Sequence, residues 1–503
     1  MQVDMIRTTN PILSACRSVC LLVFTFLAAA FCGLQVAQAE DSHTPLQPID
    51  CPSESAEATK DVAESANDEA VRCFLLHVPS DWNDISNRPM ALPVMRFAPL
   101  DGEATEPPLL VLVGGPGQSA IQLEKRVVEN LKPFRAHREL ILMDQRGTGP
   151  LAGTIHCSEA VSDANAIDDE DLVACVKRAK DEGQLLSDYR TRFAAEDYHA
   201  LRNALRIDKW AVLAHSYGAR VAQDLMRIDE KGIDRVIFNG PLFLNTRLLD
   251  WDPFDLVEVA LELCNQDDAC REAYPNVYWD LQSLPFEMRK AKVAEDEQPA
   301  EAQGILYNAR LEVLLSWHRI QQLPADIEST KKSLEAALAE DKLWTPPQSL
   351  APSMKQIGLG MHFAILCAED IKPLADQPPS EIAQPSKTLF YQQACDKIER
   401  EVGDVVVLKD GWETVKTTSK PVLILNGAFD TIVEPSTMEN GLKVYPNSVW
   451  FQVPYAGHDV VSRIECARKV AQEFLAGTAP ADLVNHCENR PMPAFKLVSE
   501  TQQ

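Results

Sequence analysis

Short apolar runs, each followed by small or polar residues, recur along the chain. They cover residues 74–78, 90–97, 108–113, 139–143, 209–215 and 234–240. The run 108–113 is apolar throughout, as in a strand that is buried on both faces of a parallel sheet. Residues 194–205 lie between two of these runs and carry an amphipathic helical pattern. Strands that alternate with helices in this way predict an α/β fold with a mostly parallel sheet.

The strand pattern stops at residue 243 and resumes at residue 420. Between these positions the sequence is mainly helical in pattern, and a stretch of this length is too long to be a loop. Two further strands are predicted at 420–426 and 449–453, followed by a helix at 466–475. The sequence therefore predicts a core formed by residues 40–242 and 420–503. A large helical cap, residues 243–419, is expected between strands 6 and 7.

Residues 1–39 have the pattern of a secretory signal peptide. Arg7 and Arg17 precede an apolar run at 19–34, and small residues at Ala37 and Ala39 form a cleavage pattern. A membrane anchor is the alternative, but the run is short for a bilayer and no second long apolar span follows. Cleavage predicts export to the periplasm or the medium, with no stable membrane span. The polar segment 40–70 is expected to be a loose leader.

Charge and cysteine content restrict the function classes. The formal net charge is −26, which argues against nucleic acid or an anionic membrane surface as a partner. Ten cysteines follow the signal segment, and an even number in an exported chain indicates disulfides. No cysteine spacing typical of zinc sites occurs. Pairing of sequence neighbours gives Cys51 with Cys73, Cys157 with Cys175, Cys264 with Cys270, Cys367 with Cys395, and Cys466 with Cys487.

A candidate nucleophile stands where the apolar run 209–215 ends. Ser216 is followed by a helical pattern, and its neighbours Ala214 and Gly218 are small. A serine held on a tight strand-to-helix turn needs such neighbours, and its hydroxyl is then exposed at the end of the sheet. The usual pattern is G-x-S-x-G, so Ala214 replaces the first glycine. An ordinary turn serine is the alternative interpretation of these few residues.

An acid and a histidine follow the last two predicted strands. Asp430 comes after strand 420–426 and His458 after strand 449–453, where open α/β sheets place their sites. The order Ser216, Asp430, His458 is the chain order of the α/β-hydrolase triad. In that arrangement His458 would be the base that activates Ser216, and Asp430 would orient His458.

Other residues could fill two of these roles. Glu434 or Asp459 could be the orienting acid, and His215 could be the base. Because His215 is adjacent to Ser216 on the turn, its side chain is expected to point elsewhere and to serve packing. Asp430 could instead cap a helix.

A glycine-rich loop at 114–117 follows the predicted strand 108–113. In a hydrolase of this layout the loop donates a backbone N–H to the oxyanion, and the expected donors are the N–H of Gly115 and the N–H of Tyr217. After the next strand, Asp144 and Arg146 are expected to form a local ion pair that braces a turn. No metal and no organic cofactor is implied.

Four motifs together resemble the proline iminopeptidase and tripeptidyl aminopeptidase branch of the α/β-hydrolases. They are Gly-Gly-Pro-Gly at 114–117, Asp-Gln-Arg-Gly-Thr-Gly at 144–149, Ser-Tyr-Gly-Ala-Arg at 216–220 and Cys-Ala-Glu-Asp at 367–370. The resemblance extends from about Cys73 to Cys487. It implies an exopeptidase that acts on free N-termini, with Glu369 holding the substrate α-ammonium group. Glu369 on a solvated surface is the alternative.

The sequence departs from this branch at three positions. Val113 stands where many relatives have histidine, Ala214 where they have glycine, and Asp459 where glycine is common. The leading hypothesis is an exported serine aminopeptidase. The alternatives are a carboxylic-ester hydrolase on the same scaffold and a catalytically idle binding protein, so the expected partner is a peptide or a small ester.

Overall fold

The computed structural model describes residues 45–51, 71–86, 88–151, 153–162, 167–249, 252–293, 300–348, 353–371, 385–406, 408 and 412–497. The predicted signal peptide and most of the predicted leader lie outside these residues. The strands, in chain order, are β1 (Leu46–Ile49), β2 (Val71–Pro79), β3 (Pro89–Phe97), β4 (Leu109–Leu112), β5 (Leu140–Met143), β6 (Trp210–His215), β7 (Ile233–Asn239), β8 (Val422–Gly427) and β9 (Ser448–Val453).

These strands form one nine-stranded sheet in the order β1-β2-β3-β5-β4-β6-β7-β8-β9. The pairs β1–β2, β2–β3 and β3–β5 are antiparallel, and every pair from β5 to β9 is parallel. All residues of β4, β5 and β8 are buried, because helices cover both faces of the parallel part. The predicted α/β fold with a mostly parallel sheet is confirmed.

Helices surround the sheet. They also form most of the long insertion between β7 and β8, which is the predicted cap, residues 243–419. In chain order they are α1 (Glu124–Asn130), α2 (Asp169–Asp181), α3 (Thr191–Ala204), α4 (Gly218–Asp229), α5 (Phe254–Gln266), α6 (Asp268–Ala273), α7 (Val277–Met288), α8 (Ala300–Ser316), α9 (Leu323–Ala339), α10 (Leu359–Ile365), α11 (Pro385–Glu401), α12 (Met438–Val444), α13 (Val460–Arg463) and α14 (Glu465–Leu475). A π-helical segment, Leu366–Ile371, continues α10.

Three apolar clusters show how these helices pack. Helices α2, α3 and α4 share one cluster with one face of the sheet, and α1 and α14 share a second cluster with the opposite face. Helices α5 to α9 have a third cluster, which Phe429 and Phe495 of the core join. The later part of the insertion, α10 and α11, packs into the first cluster. This part of the predicted cap thus packs together with the sheet, and the division into core and cap domains stays a prediction.

Strand β1 lies in the segment that was expected to be a loose leader. It pairs with β2 in antiparallel register, Leu46 opposite Leu76, and the disulfide between Cys51 and Cys73 holds its end. Because β1 precedes the strands read from the sequence, the insertion follows the seventh described strand rather than the sixth.

All ten cysteines after the predicted signal segment lie in disulfides, and the five pairs match those expected from sequence neighbours. Disulfides of this number indicate an oxidising environment. Among the helices that the structure describes, none is long and apolar enough to cross a bilayer.

Candidate active site

Ser216 lies on a sharp turn between β6 and α4, with a backbone φ of +55°. A non-glycine residue rarely adopts this left-handed conformation, and such strain concentrates at functional sites. The turn is possible only because its neighbours lack side-chain bulk. A Cβ on Gly114 would lie 2.6 Å from the Cβ of Ser216, and one on Gly218 would lie 2.6 Å from the carbonyl oxygen of Leu112.

His458 follows β9 and contacts the carboxylate of Asp430. Its Nδ1 lies 3.0 Å from Oδ1 and 2.9 Å from Oδ2 of Asp430, whose side chain is fully buried. The backbone amides of Ile432 and Val433 also donate to Oδ1, each at 3.0 Å. These donors hold the side chain of Asp430 in place, and its oxygens accept the hydrogen bond that keeps the proton of His458 on Nδ1.

The other ring nitrogen of His458, Nε2, is buried and has no hydrogen-bond partner among the described residues. It is therefore available to accept a proton. Ser216 lines the same cavity as His458, although its hydroxyl is not hydrogen-bonded to Nε2. Catalytic hydrogen bonds are often long without substrate and tighten when it binds.

The two alternative acids have other partners. Glu434 accepts a hydrogen bond from Ser436 at 2.6 Å, and Asp459 accepts one from Asn239 at 2.8 Å. Asp430 is thus the carboxylate that contacts His458 in the described structure.

His215 lies closer to the site than the sequence suggested. Its ring centroid is 4.7 Å from that of His458, and its Nδ1 donates to the carbonyl of Asn239 at 2.9 Å. Burial lowers the pKa of His215, so the side chain is neutral near pH 7. A neutral neighbour does not repel the positive charge that His458 acquires when it takes a proton.

Asn239, at the end of β7, was not singled out from the sequence. Its carbonyl accepts from the backbone N–H of Ser216 at 3.2 Å, and its side-chain amide donates to Asp459 at 2.8 Å. Its Oδ1 accepts from the backbone amides of Val460 and Val461. Asn239 therefore connects the turn that carries Ser216 to the loop that carries His458. Asn239 could have been recognised from the sequence as a candidate because it lies at the end of an apolar strand, where the other site residues also lie.

The glycine-rich loop passes beside the nucleophile. Gly115 has φ +109°, and a Cβ there would lie 2.7 Å from the amide nitrogen of Gly117, so the conformation requires glycine. The insertion supports this loop, because the amide of Gly358 donates to the carbonyl of Gly117 at 2.9 Å. Gly115 lines the cavity with Ser216, and Tyr217 follows Ser216 directly. Their backbone amides remain the predicted oxyanion donors.

The expected ion pair between Asp144 and Arg146 does not form. Arg146 is buried and makes a two-pronged pair with Asp197, its Nε and Nη2 lying 2.8 and 2.7 Å from the carboxylate oxygens. Asp144 instead accepts hydrogen bonds from Ser119 at 2.7 Å and from the amide of Ile121 at 3.0 Å. The partner of Arg146 is thus a buried carboxylate of α3, Asp197, and not a residue of the segment 144–149 that carries Arg146.

Glu369 lies in the π-helical segment and is fully buried. Its Oε2 accepts from Arg220 at 2.9 Å, its Oε1 accepts from Thr191 at 2.5 Å, and Arg220 also pairs with Asp370 at 3.0 Å. Burial raises the pKa of Glu369 to about 7, although Arg220 opposes this change. The carboxylate is thus engaged within the protein, and Glu369 is absent from the cavity lining given by the described residues.

The cavity at Ser216 and His458 has a volume of about 480 Å³. Apolar side chains form much of its wall, which is typical of binding sites for small organic molecules. These side chains come from strands of the sheet and the loops after them, from α1 and the residues next to it, and from the insertion: Val111, Val113, Leu123, Val127, Leu131, Leu213, Trp317, Met354, Ile357 and Ile432.

The family comparison agrees with this architecture. The model of the alpha/beta hydrolase fold family matches residues 107–462, which is more than half of the chain. The chain therefore belongs to the α/β-hydrolase fold family. No curated protein matches its sequence.

Several solved structures are similar in fold. Proline iminopeptidase from Mycobacterium smegmatis is 14% identical, with 80% of this chain and 97% of that chain covered and a TM-score of 0.35. A proline iminopeptidase-related protein from Thermus thermophilus is 16% identical, with 81% and 99% covered and a TM-score of 0.35. A thermophilic esterase from Thermogutta terrifontis is 15% identical, with 80% and 98% covered and a TM-score of 0.33.

Proposed function

We propose that this protein is a serine hydrolase that cleaves carboxylic ester or amide bonds through a covalent acyl-enzyme intermediate. The observation that carries the proposal is the contact of His458 with Asp430, which leaves Nε2 of His458 unpaired in the cavity that Ser216 lines. A base oriented in this way is what a serine hydroxyl needs to act as a nucleophile near neutral pH.

The reaction would proceed in two acyl transfers. Nε2 of His458 takes the proton of the Ser216 hydroxyl while the oxygen attacks the carbonyl carbon of the substrate. The oxyanion that forms is stabilised by the amides of Tyr217 and Gly115. His458 then returns the proton to the leaving alcohol or amine. Water, activated by the same imidazole, releases the acyl group and regenerates Ser216.

An aminopeptidase activity is the finer hypothesis, supported by the resemblance of the sequence motifs. It requires a carboxylate that is free to hold the α-ammonium group of the substrate. Glu369 does not support this role, because its oxygens already accept from Arg220 and Thr191. Asp459 is the carboxylate that lines the cavity among the described residues, and it accepts from Asn239 and Ser462. The geometry therefore supports acyl hydrolysis more strongly than N-terminal selectivity.

Export is the second finer hypothesis. Five disulfides support it, since such bonds persist in oxidising compartments. The mature chain would then act in the periplasm or outside the cell. Mass spectrometry of protein recovered from these fractions tests the expected cleavage after Ala39.

A chromogenic substrate panel tests the proposed chemistry. It contains prolyl, alanyl and tripeptidyl amides, their N-acylated forms and short-chain acyl esters. Each is assayed with the wild type, with Ser216→Ala and with Ser86→Ala, an exposed serine that serves as the matched control. We expect turnover that is lost in Ser216→Ala and retained in Ser86→Ala.

The pattern across the panel separates the hypotheses. Cleavage of free amides but not of N-acylated ones would support the aminopeptidase, and turnover of esters alone would support the ester hydrolase. If a folded wild type turns over nothing, the idle binding protein is favoured. Full activity of Ser216→Ala would exclude the proposed nucleophile.

A further inference from the structure

Positive charge is concentrated at the active-site cavity of this strongly acidic protein. Arg126 and Arg463 line the cavity together with Ser216 and His458, whereas the whole chain has a formal net charge of −26. The two arginines come from separate elements. Arg126 lies in α1, after the glycine-rich loop, and Arg463 ends α13, five residues after His458.

A third arginine, Arg319 of the insertion, lies next to this cavity wall. Arg319 and Arg463 both stack on Trp317, their guanidinium carbons lying 5.7 and 5.1 Å from the centroid of its ring. Trp317 is itself part of the cavity wall. Stacking on an aromatic face fixes a guanidinium group and leaves its N–H groups free to bind an anion.

These arginines have little compensating charge. Among the described residues, Arg463 lies 3.8 Å from Asp459, and no carboxylate within 4 Å is found for Arg126 or Arg319. Burial lowers the pKa of Arg463, and the charges of Arg126 and Arg319 act in the same direction while Asp459 opposes them. Asp459 offsets one of the positive charges at the cavity, and the charge that remains favours the binding of an anion.

We infer that the cavity selects substrates that carry a carboxylate, which Arg126 and Arg463 bind while the scissile carbonyl lies at Ser216. The inference rests on the proposed serine hydrolase function and names its substrate class. A singly charged group fits better than a doubly charged one, because Asp459 beside Arg463 accepts hydrogen bonds that favour its own negative charge. Apolar side chains on the remaining wall accommodate the carbon skeleton between the two ends.

The carboxylate could belong to either part of the substrate. It could end the acyl chain, as in a monoester of a dicarboxylic acid, or it could be the free C-terminus of a short peptide that leaves first. Two substrate pairs distinguish these sources. Mono-4-nitrophenyl adipate is compared with 4-nitrophenyl hexanoate, and trialanine is compared with trialanine amide.

The measured quantity is kcat/KM for the charged member of each pair divided by that for the neutral member. We expect this ratio to exceed one for at least one pair and to fall about tenfold in Arg126→Gln or Arg463→Gln, the size expected for one lost charge-assisted hydrogen bond. The loss should lie mainly in KM. The preference should also weaken between about 50 and about 500 mM NaCl, since salt screens partly exposed charges.

Lys125→Gln is the matched control, because it removes a neighbouring exposed positive charge of α1 that does not line the cavity. It should leave both ratios unchanged. Ratios at or below one in both pairs, or equal ratios in the wild type and both arginine variants, would overturn the inference while ester or amide turnover still supports the hydrolase. Absence of turnover for all four substrates, with no labelling of Ser216, would instead overturn the proposed function on which the inference rests.

Discussion

His318, which follows α8 in the insertion, holds the loop that carries His458. The backbone N–H of Gly457 donates to Nδ1 of His318 at 2.7 Å, and Nε2 of His318 donates to the carbonyl of Asp459 at 2.9 Å. A backbone amide can only donate and a carbonyl can only accept, so both bonds require the neutral imidazole with its proton on Nε2. A proton on Nδ1 would break the first bond.

The difference between the pKa of His318 in the folded and in the unfolded protein determines how much its protonation destabilises the fold. Burial lowers the pKa in the folded protein to about 4 from the ordinary value of 6.5, with Arg463 and Arg490 acting in the same direction and Asp459 opposing them. The unfolded chain therefore binds this proton more readily than the folded protein. The stability that His318 contributes is complete above about pH 6.5, decreases as the pH falls below 6.5 and is lost once the pH has fallen through 4. One pKa unit corresponds to about 1.4 kcal/mol, so the loss is about 3 kcal/mol.

We expect His318→Ala to be less stable than the wild type at pH 7, since burying the amide of Gly457 without a partner costs about 1–3 kcal/mol. Between pH 6.5 and 4 the unfolding free energy of the variant should fall about 3 kcal/mol less than that of the wild type. Its kcat should also fall, because the loop around His458 loses two anchors. Urea unfolding at several pH values and steady-state kinetics measure these changes.

His137→Ala, which removes an exposed imidazole, is the matched control and should follow the pH profile of the wild type. An unchanged pH dependence in His318→Ala would refute the reasoning, because the imidazole would then not titrate differently in the two states.

Three other substitutions test separate parts of the site. Asp430→Asn should lower kcat by about 10⁴-fold with little change in stability, since an amide does not hold the required tautomer of the histidine; an activity near that of the wild type would exclude this acid. Gly114→Ala places a Cβ 2.6 Å from that of Ser216, and the displaced nucleophile should cost about 100-fold in kcat/KM; full activity would show that the turn yields. Arg220→Ala leaves two buried carboxylates without their cation and should cost about 3–5 kcal/mol in urea unfolding, whereas a smaller loss in Glu369→Gln would agree with the raised pKa of that side chain.

Much of the fold could be predicted from the sequence because the parallel strands are buried on both faces. Such strands are apolar at nearly every position, as in 109–113 and 422–425, and the turns after them carry small or polar residues. Strand β1 escaped detection because its residues, Leu46–Ile49, include a proline and a glutamine and form an exposed edge. An edge strand lacks the apolar pattern of a central one.

The candidate site was predictable where the chemistry is tied to strand ends, and Ser216, Asp430 and His458 were named on that basis. Partners distant in sequence were not predictable. Arg146 pairs with Asp197 rather than with Asp144, because a helix packed on the sheet brings the buried carboxylate to it. Arg220 binds Glu369, which lies 149 residues later in the chain, and such a contact cannot be recognised from the periodicity of a single sequence.

Covalent labelling tests the central claim, that Ser216 is the activated nucleophile, most directly. The purified protein is treated with a fluorophosphonate, which reacts with serines activated by an adjacent base, and the modified peptide is sequenced by mass spectrometry. We expect one label per chain on Ser216, none in Ser216→Ala and much slower labelling in His458→Ala. A label on another residue, or equal labelling of Ser216→Ala, would contradict it.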